Sequence, residues 1–91
     1  MTYEELQNAA KILNLPDKAS WEEIRERYRA LVKLHHPDKG DGNSNRIREI
    51  NSAYDIVTAY CRDYRFSFSR EEFYEQNVKE RLRMQFGQEP F

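Results

Sequence analysis

A single cysteine, Cys61, stands in this chain of 91 residues, which leaves no partner for an internal disulfide and no cysteine set for a zinc site. Its place among apolar residues at helical spacing makes it a small core side chain. Glycine is nearly as scarce, with three residues in all, and none belongs to a loop of the kind that cradles phosphate. No nucleophile stands with a base, and no cluster of ligating side chains has metal-site spacing. These absences argue against an enzyme and against a resident metal or cofactor. An excess of one charge is missing too. The 15 Lys and Arg nearly balance the 16 Asp and Glu, for a net charge of -1, so the chain as a whole is neither a nucleic-acid tail nor an acidic solvating segment. Any electrostatic function must be local. No apolar run reaches the length of a signal core or a membrane span, and the expected compartment is the reducing cytoplasm. A chain of this length supports one compact domain with no deep substrate cavity.

What is present is helical patterning around one unusual tripeptide, His36-Pro37-Asp38. Before it, Ser20 and Glu23 form a Ser-x-x-Glu capping box, which predicts that a helix starts at Ser20. Ile24, Tyr28, Leu31 and His35 then recur at helical spacing and predict a core stripe. Arg25, Arg29 and Lys33 step by four along a neighbouring face, and His36 falls on the same side. Pro37 lacks an amide hydrogen and disfavours helical geometry in the residue before it, so this helix should end at about His35 or His36. The segment from Lys39 to Asn43 reads as a turn. Beyond it Ile47, Ile50, Tyr54, Val57 and Cys61 repeat at three and four, a second seam that predicts antiparallel packing against the first. The hairpin would present residues 36 to 38 at its tip.

An earlier helix completes the core. Thr2 with Glu5 is another capping pattern, Leu6, Ala9, Ala10 and Leu13 form a stripe, and Pro16 forbids continuation beyond about Asn14. This helix is expected to cover the hairpin as a lid. Near the end of the chain, Ser69 and Glu72 make a third capping pattern, with Phe68 and Phe73 placed for a hydrophobic staple. A further helix over about 69–84 follows, with Tyr74, Val78 and Leu82 as a thin apolar stripe and Glu75 and Lys79 spaced to pair. Gly87 and Pro90 mark its end.

The helix order, the stretch from Glu23-Ile24-Arg25 to Tyr28-Arg29, the His36-Pro37-Asp38-Lys39 run and Ile50 with Ala53-Tyr54 together resemble the J-domain, the DnaJ-like co-chaperone module. The resemblance covers roughly residues 2 to 61. It implies an all-α fold in which helices two and three form an antiparallel hairpin with a short N-terminal helix; the additional C-terminal helix is read from its own capping pattern, since residues 62 to 91 lack the short basic fourth helix that many members carry. It also implies a J-domain over 1–62 and a C-terminal extension over 63–91. The implied function is docking on a DnaK-like, seventy-kilodalton heat-shock chaperone and stimulation of its ATP hydrolysis, with nucleotide and catalytic residues in the partner. By the same resemblance Asp38 would meet a cationic partner group, Pro37 would fix the turn, and His36 would brace the loop. Arg25, Arg29 and Lys33 would face an acidic surface, with Tyr28 at the edge of the contact and Lys39 a secondary contact. Ala30 departs from the family pattern, standing where many J-domains carry a second consecutive basic residue, and Glu22, Glu23 and Glu26 dilute the positive face.

Other readings are weighed on the same residues. A metal at His35, His36 and Asp38 is disfavoured because adjacent histidines diverge at a helix end. A three-helix nucleic-acid-binding domain would use Arg25, Arg27, Arg29 and Lys33 on phosphates, but three glutamates share that helix and the pI is near 6.1. A J-like adaptor that binds without stimulating ATPase keeps the fold, and the intact tripeptide speaks against it. The aromatic residues Phe66, Phe68, Phe73 and Tyr74 are expected to pack back on the bundle. Their alternative is a docking element for a client, an adaptor or a second copy.

Overall fold

The computed structural model describes residues 1–36, 38 and 43–87. Its helices run in the order α1 (Tyr3–Ile12), α2 (Trp21–His35), α3 (Ser44–Arg62), α4 (Arg70–Gln76) and α5 (Val78–Leu82), followed by a π-helical turn at Arg83–Gly87. No strand occurs among the described residues, so the fold is all-α. Pro37, Lys39 and the rest of the expected turn up to Gly42 lie outside the described residues, as does Pro90.

The two seams meet as their spacing requires. Ile24 from α2 is buried with Ile50, Ala53 and Val57 from α3, while Ala9 and Leu13 close the core from the first segment. Tyr28, Leu31, Tyr54 and Cys61 pack half-buried around them. Leu13 and Ile50 are fully enclosed, and burial of each such side chain favours folding by about 1.5–3 kcal/mol. Trp21 near the start of α2 stacks with Tyr54 late in α3, and Tyr28 further along α2 bonds to Asn51 earlier in α3. That crossing order makes the hairpin antiparallel. The lid expectation changes in one respect: the backbone of α1 runs close along α3 and stays farther from α2. The middle helix is therefore the spine, covered on two sides. An open groove between α1 and α3, lined by Glu5, Ile12, Arg48 and Ile56, is a surface feature and no deep cavity.

Local chemistry sets the helix ends. The Thr2 hydroxyl accepts from the Glu5 amide at 3.1 Å, and the Asn43 side chain accepts from the Arg46 amide at 3.0 Å. Only Ser20 and Glu23 complete a reciprocal capping box, with the Glu23 carboxylate accepting from the Ser20 amide at 2.9 Å. Helix α1 ends in a Schellman motif: the Leu15 amide donates to the Ala10 carbonyl, the Asn14 amide to the Lys11 carbonyl, and Asn14 takes φ 55. Asparagine tolerates that left-handed geometry better than most residues, and Pro16 follows as a stop.

The C-terminal segment departs from expectation in three ways. Instead of one helix over 69–84, the chain breaks at Asn77, whose side-chain amide donates to the Phe73 carbonyl at 2.8 Å. The Asn77 backbone amide shares that acceptor at 3.0 Å, so a local side-chain bond competes with the regular ladder and the backbone turns to φ -126, ψ 73. The bend redirects Glu75 from Lys79 to Arg81, at 3.8 Å. No staple forms, because Phe68 is 95% exposed and Phe73 sets its ring against Tyr74 at 5.2 Å. Nor do Phe66, Phe68 and Phe73 enter the core, since all three are exposed and the backbones of α4 and α5 run clear of α1, α2 and α3. The apolar face of α3 is already occupied by α1 and α2, which leaves no seam for them to enter. Phe66 instead joins Tyr60 and Tyr64 in an edge-to-face ladder.

Candidate functional site

Helix α2 does two jobs with two faces. Ile24 and its neighbours at helical spacing turn inward, while Arg25, Arg29 and Lys33 are exposed. None of these three cations has an ion-pair partner among the described residues, so their charge is available to an external surface. Glu23, on the first turn, is tied to the Ser20 cap. The Ser20 amide foremost, then its hydroxyl, holds the Glu23 carboxyl below its ordinary value, with a smaller contribution from Arg27. That acid is engaged in local structure and does not neutralise the next turn of the basic face directly.

The end of α2 is set by His36, which adopts φ -62, ψ 138 ahead of Pro37. This extended geometry is what a following proline favours. The Asp38 amide then donates to His36 Nδ1 at 3.1 Å. In that role Nδ1 is the ring's unprotonated nitrogen, which leaves Nε2 as its donor. The nearer Asp38 carboxylate oxygen lies 3.9 Å from the same nitrogen, beyond hydrogen-bond range. His36 therefore orders the Asp38 backbone while leaving its carboxylate, 87% exposed, unclaimed. An anion held on a fixed backbone and an unpaired cationic stripe occupy the tip and flank of one helix.

Tyr28 links the stripe to α3. Its ring lies flat on Tyr54, and its hydroxyl donates to the Asn51 side-chain oxygen at 2.7 Å. Trp21 continues the stack on Tyr54 with ring centroids 6.3 Å apart. The structure thus brings His36 and Asp38 together, places Arg25, Tyr28, Arg29 and Lys33 along the adjoining helix, and leaves Pro37 and Lys39 outside the described residues. Sequence periodicity missed Asn51 and Trp21. Asn51 lies beside the α3 seam where no pattern marks it, whereas Trp21, the only tryptophan, could have been noticed as an aromatic on the first turn of an amphipathic helix.

Among the described residues no group of three or more His, Cys, Asp or Glu side chains could hold a metal ion, and no helix is long and apolar enough to cross a membrane. The described residues thus form a small helical hairpin with His36 and Asp38 exposed just past the end of α2 and a cationic flank beside them. Residues 8–62 match the DnaJ domain, and the chain belongs to that family.

The relatives agree over the same region. The chain is similar to the chaperone protein DnaJ of Finegoldia magna, 40% identical over 55 residues, covering 57% of this chain and 15% of the relative. It is 44% identical over 50 residues to the chaperone protein DnaJ of Orientia tsutsugamushi, covering 52% of this chain and 13% of the relative. With DnaJ homolog subfamily A member 2 of Rattus norvegicus it shares 38% identity over 47 residues, covering 52% and 11%. The chain thus spans only 11% to 15% of the length of these relatives. No solved structure matches.

Proposed function

We propose that this chain is a co-chaperone that docks on a seventy-kilodalton heat-shock chaperone of the DnaK kind and stimulates its ATP hydrolysis, promoting client capture. The observation that carries the reading is the Asp38 carboxylate, exposed at the helix tip on a backbone that His36 anchors. Such a carboxylate can enter a cationic pocket without losing an internal partner. Arg25, Arg29 and Lys33 steer and orient the approach to an acidic surface, Tyr28 borders the contact, and Pro37 and Lys39 are assigned to the loop by their place in the tripeptide run. The chain itself performs no chemistry; hydrolysis belongs to the partner. The docking module spans 1–62 and the extension 63–91, and the setting is the cytoplasm.

The test is single-turnover ATP hydrolysis by a heat-shock chaperone from the same cell, alone, with this protein, and with Asp38→Asn. Acceleration by the wild type that disappears in the variant, at unchanged helical content, supports the reading. A chaperone that hydrolyses at one rate in all three mixtures rejects it and leaves the adaptor reading in its place.

A further inference from the structure

The segment after the bundle is an arm with two chemically different halves. Helix α4 carries Glu71, Glu72 and Glu75 behind Arg70, whereas α5 and the turn after it carry Lys79, Arg81 and Arg83 around Glu80. The halves meet at the Asn77 bend. Within the chain, Arg81 pairs with Glu75 at 3.8 Å and Arg83 with Glu80 at 3.5 Å. Glu71 and Lys79 pair with nothing among the described residues.

The arm also lacks a reason to be ordered alone. Helices of 7 and 5 residues are too short to persist in water on their own hydrogen bonds. No close backbone approach ties either of them to α1, α2 or α3. The radius of gyration, 18.2 Å, exceeds the roughly 12 Å expected of a compact chain of this length. Meanwhile Phe73, Val78, Leu82 and Phe86 are each about half exposed or more. Four exposed apolar side chains this close together on an arm clear of the core are candidates for burial in an interface.

We propose that the occupant of this surface is the same arm of a second copy, laid antiparallel with the two-fold axis beside Glu75, whose charge Arg81 of its own chain already meets. Two-fold pairing sets the acidic half of each arm against the basic half of the other, and it does so twice by symmetry. It gives Glu71 of one copy and Lys79 of its partner the opposite charge each lacks. The apolar residues of both arms are then covered together. An apolar client would cover the same side chains but has no need of this charge order. The proposal stands apart from the chaperone-docking reading, since it uses no residue of the His36 to Asp38 turn.

The test is sedimentation equilibrium of the full chain, with charge-reversed variants. The wild type is expected to self-associate at concentrations of about 1 to 100 μM, as a small interface would. Lys79→Glu alone, and Glu71→Lys alone, each place two like-charge pairs in the symmetric dimer and weaken it by about tenfold or more. An equimolar mixture of the two variants restores both pairs and recovers the association. Asp38→Asn leaves all of this unchanged. A wild type that stays monomeric up to about 1 mM overturns the proposal, as does dimerisation indifferent to both reversals, or a mixture that fails to recover. Val78→Asp with Leu82→Asp supplies a second disruption on the apolar side. Because these positions lie off the bundle, circular dichroism of that pair should retain the three-helix signal.

Discussion

The ring of Tyr28 lies on the ring of Tyr54 with centroids 3.9 Å apart and planes inclined by 11°. The contact joins the two helices of the hairpin immediately beside the cationic stripe. It fixes where Arg25, about one turn before Tyr28, and Arg29, the next residue, stand relative to α3. The short bond from the Tyr28 hydroxyl to Asn51 closes the same contact from its outer edge.

Removing only the hydroxyl separates these contributions. Tyr28→Phe keeps the stack and loses the bond, and it should cost about 0.5–1.5 kcal/mol. Asn51 can turn to water, which favours the lower end of that range. Thermal unfolding should show a midpoint lowered by about 2–8 °C for a domain of this size. An unchanged midpoint would mean the bond adds nothing net. Tyr28→Ala should cost more, because the stack goes too.

At the opposite end of α1, Asn14 holds φ 55 to complete the Schellman turn. Glycine reaches that geometry without a Cβ clash, so Asn14→Gly should be neutral or slightly stabilising. Asn14→Ala should destabilise by about 1 kcal/mol. Urea unfolding of the two variants against the wild type decides it; equal stability for glycine and alanine would show that the turn carries no left-handed strain.

How much of this was legible beforehand depends on whether a residue announces itself by period. Ile24, Ile50 and Val57 did, since a helix repeats its buried face at three and four, and all three are in the core. Ser20 with Glu23 also did, because the capping box is a local pattern. The exposure of Asp38 and of the α2 cations, though not their role, was legible from the tripeptide and the step of four. Asn77 was not. It stands inside an otherwise helical stretch, and only the competing bond to the Phe73 carbonyl shows that the helix breaks there. The packing of Phe66, Phe68 and Phe73 was misjudged for a different reason. Hydrophobicity says that a ring seeks cover but not whether a nearby seam is already filled.

The Glu23 carboxyl gives the stability a defined response to acid. Its value in the folded protein lies below the ordinary 4.5, so its ionised form is favoured by folding. The resulting stabilisation is fully present above about 4.5 and declines as pH falls through the lowered folded value. The stability difference between wild type and Glu23→Gln should therefore be visible at neutral pH and close as pH falls below the lowered folded value. A gap that persists in acid would assign the effect to packing. Ser20→Ala should cost about 1 kcal/mol at neutral pH by removing the hydroxyl cap.

Salt should divide the docking surface into two kinds of residue. Arg25, Arg29 and Lys33 are solvent-exposed and in the proposed docking would act across water on an acidic surface, so removing any one should weaken chaperone binding by about 1 kcal/mol or less. Raising ionic strength screens such charges. The affinities of Arg25→Ala, Arg29→Ala and Lys33→Ala should therefore approach that of the wild type in high salt. Asp38 differs because docking would enclose its carboxylate against a cation, where ions penetrate poorly. Asp38→Asn should cost about 2–5 kcal/mol, most of it in a faster off-rate. That loss should persist in high salt. Titration of the chaperone at two ionic strengths, with association and dissociation followed separately, measures both effects. An Asp38→Asn defect that fades with salt as the arginine defects do would place the carboxylate at the rim of the contact and not at its centre.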